Sequence, residues 1–363
     1  GRAGQAAAAS ASLAGCSAVV TGASRGIGKG IAVALGECGA SVFITGRSQG
    51  ALAETATLVA QAGGSCTAFQ CDHADDKRVR EVFSQIGEQT GGSLNILVNN
   101  AFKFGAADPE LERALSQGAK FYDIPLSVWD EINDVGLRSH YAASVFAAPM
   151  LLKAARSGGV RPLLCFTSSF GGVSYLFTPA YGIGKAAVDR MARDFQVELG
   201  PQGVDCLSVW PGVVLTEKVA DLAVTDKQRV EKMTGGQDLD KCAESPLLTG
   251  RVIGRLAADD QLRRPPYVTP DGLTGRICIV AEAARDLRLR DGGPAGSVAA
   301  GLYGPDREPA PSIRSLGYLG PGFIRGSLPE GARFLAEPGG PLANPDVKMP
   351  LEFMSQGPPQ TSS

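Results

Sequence analysis

Apolar and polar residues follow two different patterns along most of this chain, one typical of strands and one typical of helices. Short, mostly apolar runs predict buried strands at CSAVVT (16–21), SVFITG (41–46), CTAFQC (66–71), LNILVN (94–99), PLLCFT (162–167), VDCLSVW (204–210) and LTGRICIV (273–280). Between these runs, apolar residues recur every three or four positions, which predicts helices over about 50–62, 77–89, 127–151 and 181–200. Alternating strands and helices need crossover connections, so we predict an α/β fold, a doubly wound parallel sheet in three α/β/α layers.

The two ends of the chain fall outside this alternation. Residues 1–14 are rich in alanine and serine, which predicts a low-complexity leader and leaves the remnant of a transit peptide as the alternative. From 291 to 363 the sequence is irregular and rich in proline and glycine, so we predict a loosely packed or disordered extension. Residues 15–290 are long enough for a single domain. Within it, we predict that 102–128 form part of a substrate wall and 220–270 a partial lid.

Composition narrows the class of protein. The 363 residues are 44% apolar and carry a net charge of −2, which gives no reason to expect nucleic acid or a membrane surface as partner. No run of about 18 apolar residues is present, so we predict no membrane span. Eight cysteines without a C-x-x-C pair indicate an intracellular, reduced protein, cytoplasmic or imported into an organelle. His73 and His140 are too few for a zinc site or a Ser-His-Asp triad and are predicted to be structural.

The first strand runs into a glycine-rich turn and then into a helix, TGASRGIGKGIAVALGECGA. Glycines in the turn let the backbone bend tightly and let a pyrophosphate approach the free N–H groups at the helix start. A strand before such a turn and a helix after it are the context that a dinucleotide-binding, Rossmann-type turn requires. The predicted cofactor-binding residues here are Gly22, Ser24, Arg25, Gly26, Ile27 and Gly28.

The second strand ends in Gly46 and Arg47. An acidic residue at this strand end usually bonds the ribose 2′-hydroxyl of NAD, whereas a 2′-phosphate needs a cation. Arg47, together with Arg25 from the glycine turn, therefore favours NADP (NADPH), although two surface arginines would give the same pattern. Asp72, at the end of the third strand, either accepts a hydrogen bond from the adenine amino group or caps the following helix.

A tyrosine and a lysine four residues apart, Tyr181 and Lys185 in YGIGK, share one face of a predicted helix. An isolated tyrosine, with a pKa near ~10, is a poor acid or base at neutral pH. A cation held beside it stabilises the phenolate and lowers that pKa. We therefore interpret the pair as a device that delivers a proton.

Taken together, these motifs resemble the short-chain dehydrogenase/reductase family over about residues 17–280. The matches are T-G-x-x-x-G-x-G (21–28), N-N-A (99–101), a serine thirteen residues before the tyrosine (Ser168), Y-x-x-x-K (181–185) and P-G-x-x-x-T (211–216). The resemblance implies an NADPH-dependent oxidoreductase that reduces a small-molecule ketone or aldehyde, steroid-like or xenobiotic-like, to an alcohol. It implies that Ser168 and Tyr181 hold the carbonyl oxygen, that Tyr181 donates the proton, and that Lys185 also bonds the nicotinamide ribose.

Further contacts follow from the same resemblance. The backbone at Val214 and the side chain of Thr216 are expected to hold the cofactor carboxamide. The helix that carries Tyr181 is expected to pack across a two-fold axis in a homodimer or homotetramer. The full set of additional cofactor contacts is Asn99, Ala101, Pro211, Gly212, Val214 and Thr216.

One position departs from the family pattern. The family usually has an asparagine in the sequence D-V-N-L, which bends its helix and anchors a water in the proton relay, whereas this chain has Gly136 there. Asn133 lies three residues earlier on nearly the same helix face. We expect Gly136 to permit the helix distortion, with exposed carbonyls or a catalytic Asn133 holding the water. A polar helix residue without a catalytic role is the alternative for Asn133.

Two other functions use the same sequence features. A nucleotide site of this kind also serves epimerases and dehydratases, but the chain has no long sugar-nucleotide domain. An NADP-binding scaffold or sensor with little catalysis is the second alternative, suggested by Gly136 and the irregular extension. The intact Ser168, Tyr181 and Lys185 favour the reductase.

Overall fold

The computed structural model describes residues 12–103, 119–234, 238–271 and 275–312. Residues 1–11 of the predicted leader, 104–118 of the predicted substrate wall and 313–363 of the predicted extension lie outside the described residues. Among the helices that are described, none has the length and the apolar content needed to cross a bilayer.

The core of the fold is one eight-stranded sheet. Its strands are β1 (Ser17–Val20), β2 (Ser41–Gly46), β3 (Ser65–Gln70), β4 (Ile96–Asn99), β5 (Leu163–Thr167), β6 (Asp205–Trp210), β9 (Thr269–Asp271) and β10 (Gly275–Ile279), while β7 (Val213–Val214) and β8 (Ala243–Glu244) form a separate parallel pair. The strand order in the sheet is β3-β2-β1-β4-β5-β6-β10-β9. All neighbours are parallel except the edge strand β9, which runs antiparallel to β10. The predicted doubly wound parallel sheet is therefore confirmed.

Helices cover both faces of the sheet. They are α1 (Gly26–Glu37), α2 (Gln49–Gln61), α3 (Asp76–Thr90), α4 (Leu126–Asn133), α5 (Ser139–Ser157), α6 (Pro179–Leu199), α7 (Glu217–Thr225), α8 (Lys227–Thr234), α9 (Leu239–Cys242), α10 (Pro246–Ala258), α11 (Val280–Asp286) and α12 (Val298–Tyr303).

Successive strand side chains enter different cores because their directions alternate. On β1, Ala18 and Val20 pack into a cluster with α1 and α10, whereas Val19 packs into a second cluster with α3, α5 and α6. Val19 pairs in register with Phe43 on one side and Leu97 on the other, and both belong to the second cluster. The sheet therefore separates two apolar cores, each covered by a layer of helices, which gives the three α/β/α layers.

The single helix predicted over 127–151 is two helices, α4 and α5, joined by a π-helical turn at Asp134–Arg138. The hydroxyl of Ser139 donates to the carbonyl of Val135 at 2.6 Å, which stabilises a backbone that has left the regular helical ladder. Hydrophobic periodicity continues through such a turn and so does not reveal it. Turns of this kind often lie at functional sites.

Helix α10 belongs to the segment 220–270, which the sequence predicts to be a partial lid. Helix α10 is almost wholly buried and packs against α1, where an ideal Cβ on Gly250 would lie 2.7 Å from the Cα of Ile31. Glycine permits this close crossing of two backbones. Helix α10 is therefore a core element.

Residues 291–312 pack on the domain, which differs from the expected loose extension. Asp291, 1% exposed, accepts a hydrogen bond from the backbone N–H of Ser245 at 2.9 Å and pairs with Arg307 at 3.0 Å. Arg307 also donates to the carbonyl of Ala243, the first residue of β8. These anchors are polar contacts between residues far apart in the sequence, so the apolar pattern of the sequence gives no sign of them. The boundary at residue 290 and the description of 313–363 remain predictions.

Candidate active site

A cavity of about 890 Å³ opens along the carboxyl ends of the parallel strands. In open α/β sheets, ligands bind at this edge. The structure brings most of the predicted site residues to its wall, namely Gly22, Ser24, Arg25, Gly26, Ile27, Gly28, Arg47, Asp72, Ala101, Ser168, Tyr181, Lys185, Pro211, Gly212 and Thr216. Three predicted residues are not part of the wall, Asn99, Asn133 and Val214.

The glycine turn has the close backbone approaches that a bound pyrophosphate needs. Gly22 has a φ of 68°, and an ideal Cβ on it would lie 2.7 Å from the Cα of Ala101. An ideal Cβ on Gly28 would lie 2.4 Å from Nδ2, the side-chain amide nitrogen, of Asn100. At the start of α1, the N–H of Gly26 donates to the carboxylate of Glu217 at 2.8 Å. A carboxylate thus stands where a phosphate oxygen would bind, so the turn fits the pyrophosphate of a dinucleotide.

The part of the cavity between the glycine turn and the end of β2 carries two arginines. Arg25 and Arg47 are exposed, line the cavity, and come from the glycine turn and the end of β2. An ideal Cβ on Gly46 would lie 3.2 Å from the hydroxyl oxygen of Ser24, which leaves little room for a larger side chain there. This part of the cavity therefore offers cations and no carboxylate at the strand terminus of β2.

Asp72 lies on the cavity wall, and its carboxylate accepts the N–H of Ala74 at 3.0 Å. Helix α3 is capped by Asp75, which accepts the N–H groups of Lys77 and Arg78 at 3.0 and 3.1 Å. The suggestion that Asp72 caps this helix is therefore wrong. The adenine contact remains a prediction.

The two asparagines at the end of β4, Asn99 and Asn100, point in different directions. The amide of Asn99 is buried and donates to the hydroxyl of Ser144 at 2.9 Å, away from the cavity. Asn100, on the wall, donates to the carbonyls of Thr21 and Gly22 at 2.9 and 3.2 Å. Asn100 therefore holds the glycine turn against the strand end. Its position, one residue beyond Asn99, places it on the other side of the strand.

Tyr181 lies in the first turn of α6, whose start is fixed by Thr178. The hydroxyl oxygen of Thr178 accepts the N–H of Tyr181 at 3.2 Å, and Pro179 occupies the first helical position. The phenol oxygen lies 2.8 Å from the hydroxyl of Ser169. The hydroxyl of Ser168, the serine chosen from the sequence, donates instead to the carbonyl of Lys185 at 3.3 Å. Both serines line the cavity, but Ser169 is the hydrogen-bonded neighbour of the phenol.

Lys185 lies one turn further along α6 and is buried, with 7% of its surface exposed. Its ammonium donates to the carbonyl of Thr167 at 3.1 Å and lies 5.8 Å from the ring centroid of Tyr181. Burial lowers the pKa of Lys185 to about 8, and Asp189 opposes that shift. Burial raises the pKa of Tyr181 to about 12, against a smaller lowering by its bond to Ser169. The expected lowering of the tyrosine pKa is therefore not what this arrangement produces, and Tyr181 remains a protonated donor at neutral pH.

Asn133 and Val214 have structural neighbours away from the cavity. Asn133 is 6% exposed, and its amide donates to the carbonyl of Trp129 at 3.1 Å. Its Oδ1 faces α6 so closely that an ideal Cβ on Gly184 would lie 2.5 Å from it. Val214 pairs with Glu244 in the small β7–β8 sheet. The side chain of Asn133 therefore packs against α6 beside Gly184, the residue before Lys185, and its catalytic role remains a prediction.

Both histidines are buried near the cavity. The Nε2 atom of His140 lies 2.9 Å from the carbonyl of Ala101, and that of His73 lies 2.7 Å from the hydroxyl of Thr45. Burial lowers the pKa of His73 to about 4 and that of His140 to about 3. Both rings are therefore neutral at pH 7 and hold the ends of β2 and β4.

A dinucleotide cradle that shares one cavity with a buried tyrosine, lysine and serine defines the class of the protein, an oxidoreductase of the short-chain dehydrogenase type. The model of the short chain dehydrogenase family matches residues 17–227, more than half of the chain, and the chain belongs to this family. The family and the Rossmann-type fold predicted from the sequence are thereby confirmed.

Relatives and solved structures agree with this assignment. The chain is 35% identical over 314 residues to Dehydrogenase/reductase SDR family member 1 of Mus musculus, a match that covers 85% of this chain and 93% of that protein. It is 36% identical over 275 residues to the Homo sapiens protein of the same name, covering 75% and 82%. The Pseudomonas aeruginosa RhlG/NADP active-site complex superposes with a TM-score of 0.59 at 28% identity, covering 74% of this chain and 96% of that one.

Proposed function

We propose that this protein is an NADPH-dependent reductase that converts a ketone or aldehyde carbonyl of a steroid-like or xenobiotic-like small molecule to an alcohol. The observation that carries the proposal is the phenol of Tyr181, hydrogen-bonded to Ser169 and one helical turn from Lys185, on the wall that also holds the glycine turn. A proton donor and a cradle for a hydride carrier in one cavity are what carbonyl reduction requires.

The preference for NADP is supported by Arg25 and Arg47. Both residues line the cavity, Arg25 from the glycine turn and Arg47 from the end of β2, where a 2′-phosphate would lie, and no acidic side chain ends that strand. Guanidinium groups bind phosphate in a bidentate manner. One solved structure that resembles this chain, at 28% identity, is an NADP complex, which agrees with the proposal.

Each residue of the site has a different role in the proposed reaction. A reduced nicotinamide cofactor, when bound, supplies the hydride. Tyr181, whose pKa is raised to about 12, is protonated over the whole physiological range and donates its proton to the carbonyl oxygen. The hydroxyl of Ser169 holds the same oxygen and polarises the carbonyl, because it lies 2.8 Å from the phenol. Lys185, at the neighbouring turn, supplies positive charge while the tyrosine gives up its proton.

The test follows the loss of reduced-nicotinamide absorbance with NADPH and with NADH against a panel of ketosteroids, quinones and aromatic aldehydes. We expect turnover with NADPH and its near-complete loss in Tyr181→Phe, which keeps the ring and removes the proton donor. Binding of NADPH without turnover on any member of the panel would refute the reductase and favour a scaffold or sensor.

We also propose a homo-oligomer. Tyr141 and Val145 on α5 are 55% and 48% exposed, and Tyr141 packs on Phe195 of α6 with ring centroids 5.8 Å apart. Exposed apolar side chains on neighbouring helices suit a helix-to-helix interface. Sedimentation of the wild type and of Val145→Asp tests this, since a single buried charge at the interface should dissociate the assembly.

A further inference from the structure

The position that departs from the family pattern, Gly136, has a specific neighbour. An ideal Cβ on Gly136 would lie 2.7 Å from Cδ2 and 2.9 Å from Cε2 of the Phe102 ring. Cβ atoms do not approach other atoms so closely, so any side chain at 136 would require this ring to move. The space beside Gly136 is therefore filled by a side chain from a different element, the segment after β4.

The same ring contacts both residues that handle the proton. The ammonium of Lys185 lies 4.6 Å from the centroid of the Phe102 ring, within the range of a cation–π interaction. The ring of Tyr181 meets it edge to face, with centroids 5.7 Å apart and planes at 82°. Phe102 thus lies between the π-helical turn at Asp134–Arg138 and the face of α6 that carries the tyrosine and the lysine.

Phe102 reaches this place because the backbone before it is fixed. The N–H of Ala101 donates to the hydroxyl of Thr21 at 3.0 Å, and the carbonyl of Ala101 lies 2.9 Å from the Nε2 of His140. The backbone of Ala101 therefore holds Phe102 at a fixed position beyond the end of β4. The neighbouring Lys103 forms an ion pair with Glu131 of α4 at 3.0 Å, which ties the same segment to the other side of the π-helical turn.

We propose that Phe102 and Gly136 form a matched pair, in which the Phe102 ring occupies the space left by Gly136 and acts as a positioning residue for the ammonium of Lys185 and the ring of Tyr181. The function that this positioning serves rests on the proposed reductase activity. The pairing itself is a statement about packing and charge, and it is testable without turnover.

The packing part is tested by a double-mutant cycle of Gly136→Asn, Phe102→Ala and the two together, with thermal unfolding as the readout. We expect Gly136→Asn alone to lower the unfolding midpoint by several degrees, because the new side chain overlaps the ring. In the Phe102→Ala background the same substitution should cost little or nothing. Equal costs of Gly136→Asn in both backgrounds would overturn the pairing. Gly87→Asn, at a helical position where an added Cβ meets only the end of Met150 at 4.0 Å, is the matched control for introducing asparagine into a helix.

The charge part is tested with Phe102→Tyr and Phe102→Leu. Tyrosine keeps the aromatic face, whereas leucine keeps much of the volume without it, so only leucine should shift the titration of Lys185 to lower pH. The readout is the ¹³C resonance of Lys185 Cε, assigned with Lys185→Met. Ionisable groups that bear on this ammonium are Tyr181 and Asp189 on α6 and His140 on α5, with the paired Lys103 next to Phe102. Identical titration in the two variants would show that the ring does not stabilise the cation.

Measurements of turnover then distinguish a failure of the positioning role from a failure of the proposed reductase activity. If the wild type reduces a carbonyl with NADPH, we expect Phe102→Leu to lower kcat by about 10-fold or more with little change in KM, because the acid and its cation lose alignment. An unchanged kcat would show that the ring has no positioning role. If the wild type turns over no carbonyl, the proposed function fails, while unfolding and lysine titration still decide the pairing.

Discussion

The hydroxyl of Ser169 lies 2.8 Å from the phenol oxygen of Tyr181, whereas the hydroxyl of Ser168 donates to the backbone of Lys185. Two adjacent serines at the end of β5 therefore have different partners. One faces the proton donor, and the other fixes the helix that carries it. The distinction matters because the thirteen-residue spacing from the tyrosine predicts Ser168 as the catalytic serine.

We expect Ser169→Ala to lower kcat/KM by about 100-fold, because the site loses a hydroxyl aimed at the carbonyl oxygen. Ser168→Ala should instead reduce the free energy of unfolding by about 1 kcal/mol, through loss of a buried hydrogen bond. Steady-state kinetics and urea unfolding on both variants separate the two effects. A larger catalytic loss in Ser168→Ala at unchanged stability would return the catalytic assignment to Ser168.

Arg47→Ala should weaken binding of NADPH by about 10-fold or more and leave NADH binding nearly unchanged, since only the 2′-phosphate loses a charged hydrogen bond. Fluorescence titration of each reduced cofactor measures the two dissociation constants. Arg156→Ala, an exposed arginine at the end of α5 and outside the cavity wall, is the matched control for loss of surface charge. Equal weakening of both cofactors in Arg47→Ala would count against a phosphate contact.

Glu217→Gln should tighten the binding of a dinucleotide cofactor severalfold. The carboxylate accepts the N–H of Gly26 at 2.8 Å and lies 3.6 Å from the ammonium of Lys29, so it competes with the pyrophosphate for both. Isothermal titration with NADPH provides the readout. Asp221→Asn serves as control, because Asp221 also lines the cavity and tests whether any removed negative charge has the same effect. Tightening of equal size in both variants would assign the effect to the net charge of the wall.

Glu244→Gln should raise stability at pH 8 and leave it unchanged near pH 4. Burial is the main reason that the pKa of Glu244 is raised to about 8 from 4.5. Below pH 4.5 the side chain is protonated in both the folded and the unfolded chain, so the folded state carries no penalty. Between pH 4.5 and about 8 the unfolded chain releases the proton while the folded chain keeps it, so stability falls as the pH rises through this range and levels off above it.

The expected gain at pH 8 is on the order of 2 kcal/mol, measured by urea unfolding at several pH values. The exposed Glu198→Gln provides the control for changing net charge. A wild-type stability that is flat between pH 5 and 8, or a Gln variant with the same slope as wild type, would contradict the prediction.

The sequence predicts the sheet and the cofactor turn well because both depend on local patterns. Apolar runs of strand length and glycines at fixed spacing are direct consequences of burial and of backbone approach. The wall formed by Gly22, Arg47, Tyr181 and Thr216 follows once the strands are parallel, since their carboxyl ends meet at one edge.

Other features depend on contacts between distant residues and leave no periodic trace. Arg263, with a fully buried side chain, pairs with the buried Asp205 at 3.2 Å and donates to the carbonyls of Leu256 and Ala257. Such an ion pair is specified by three-dimensional neighbours, and an isolated arginine in a sequence normally predicts exposure. The same reason explains why a thirteen-residue spacing does not reveal that Ser169, the neighbour of Ser168, is the serine hydrogen-bonded to the phenol.

The anchoring of residues 291–307 also bears on the order in which the protein is completed during synthesis. The glycine turn, the strands up to β6 and the Tyr181 helix are all present once residue 210 has left the ribosome. The β7–β8 pair follows Gly212 of the cavity wall. Ala243 of β8 and the following Ser245 gain their contacts with Arg307 and Asp291 only 64 and 46 residues later. The segment that follows Gly212 is thus anchored only after Arg307 has been made, so a nascent chain has the fold of an oxidoreductase before the surroundings of its site are fixed.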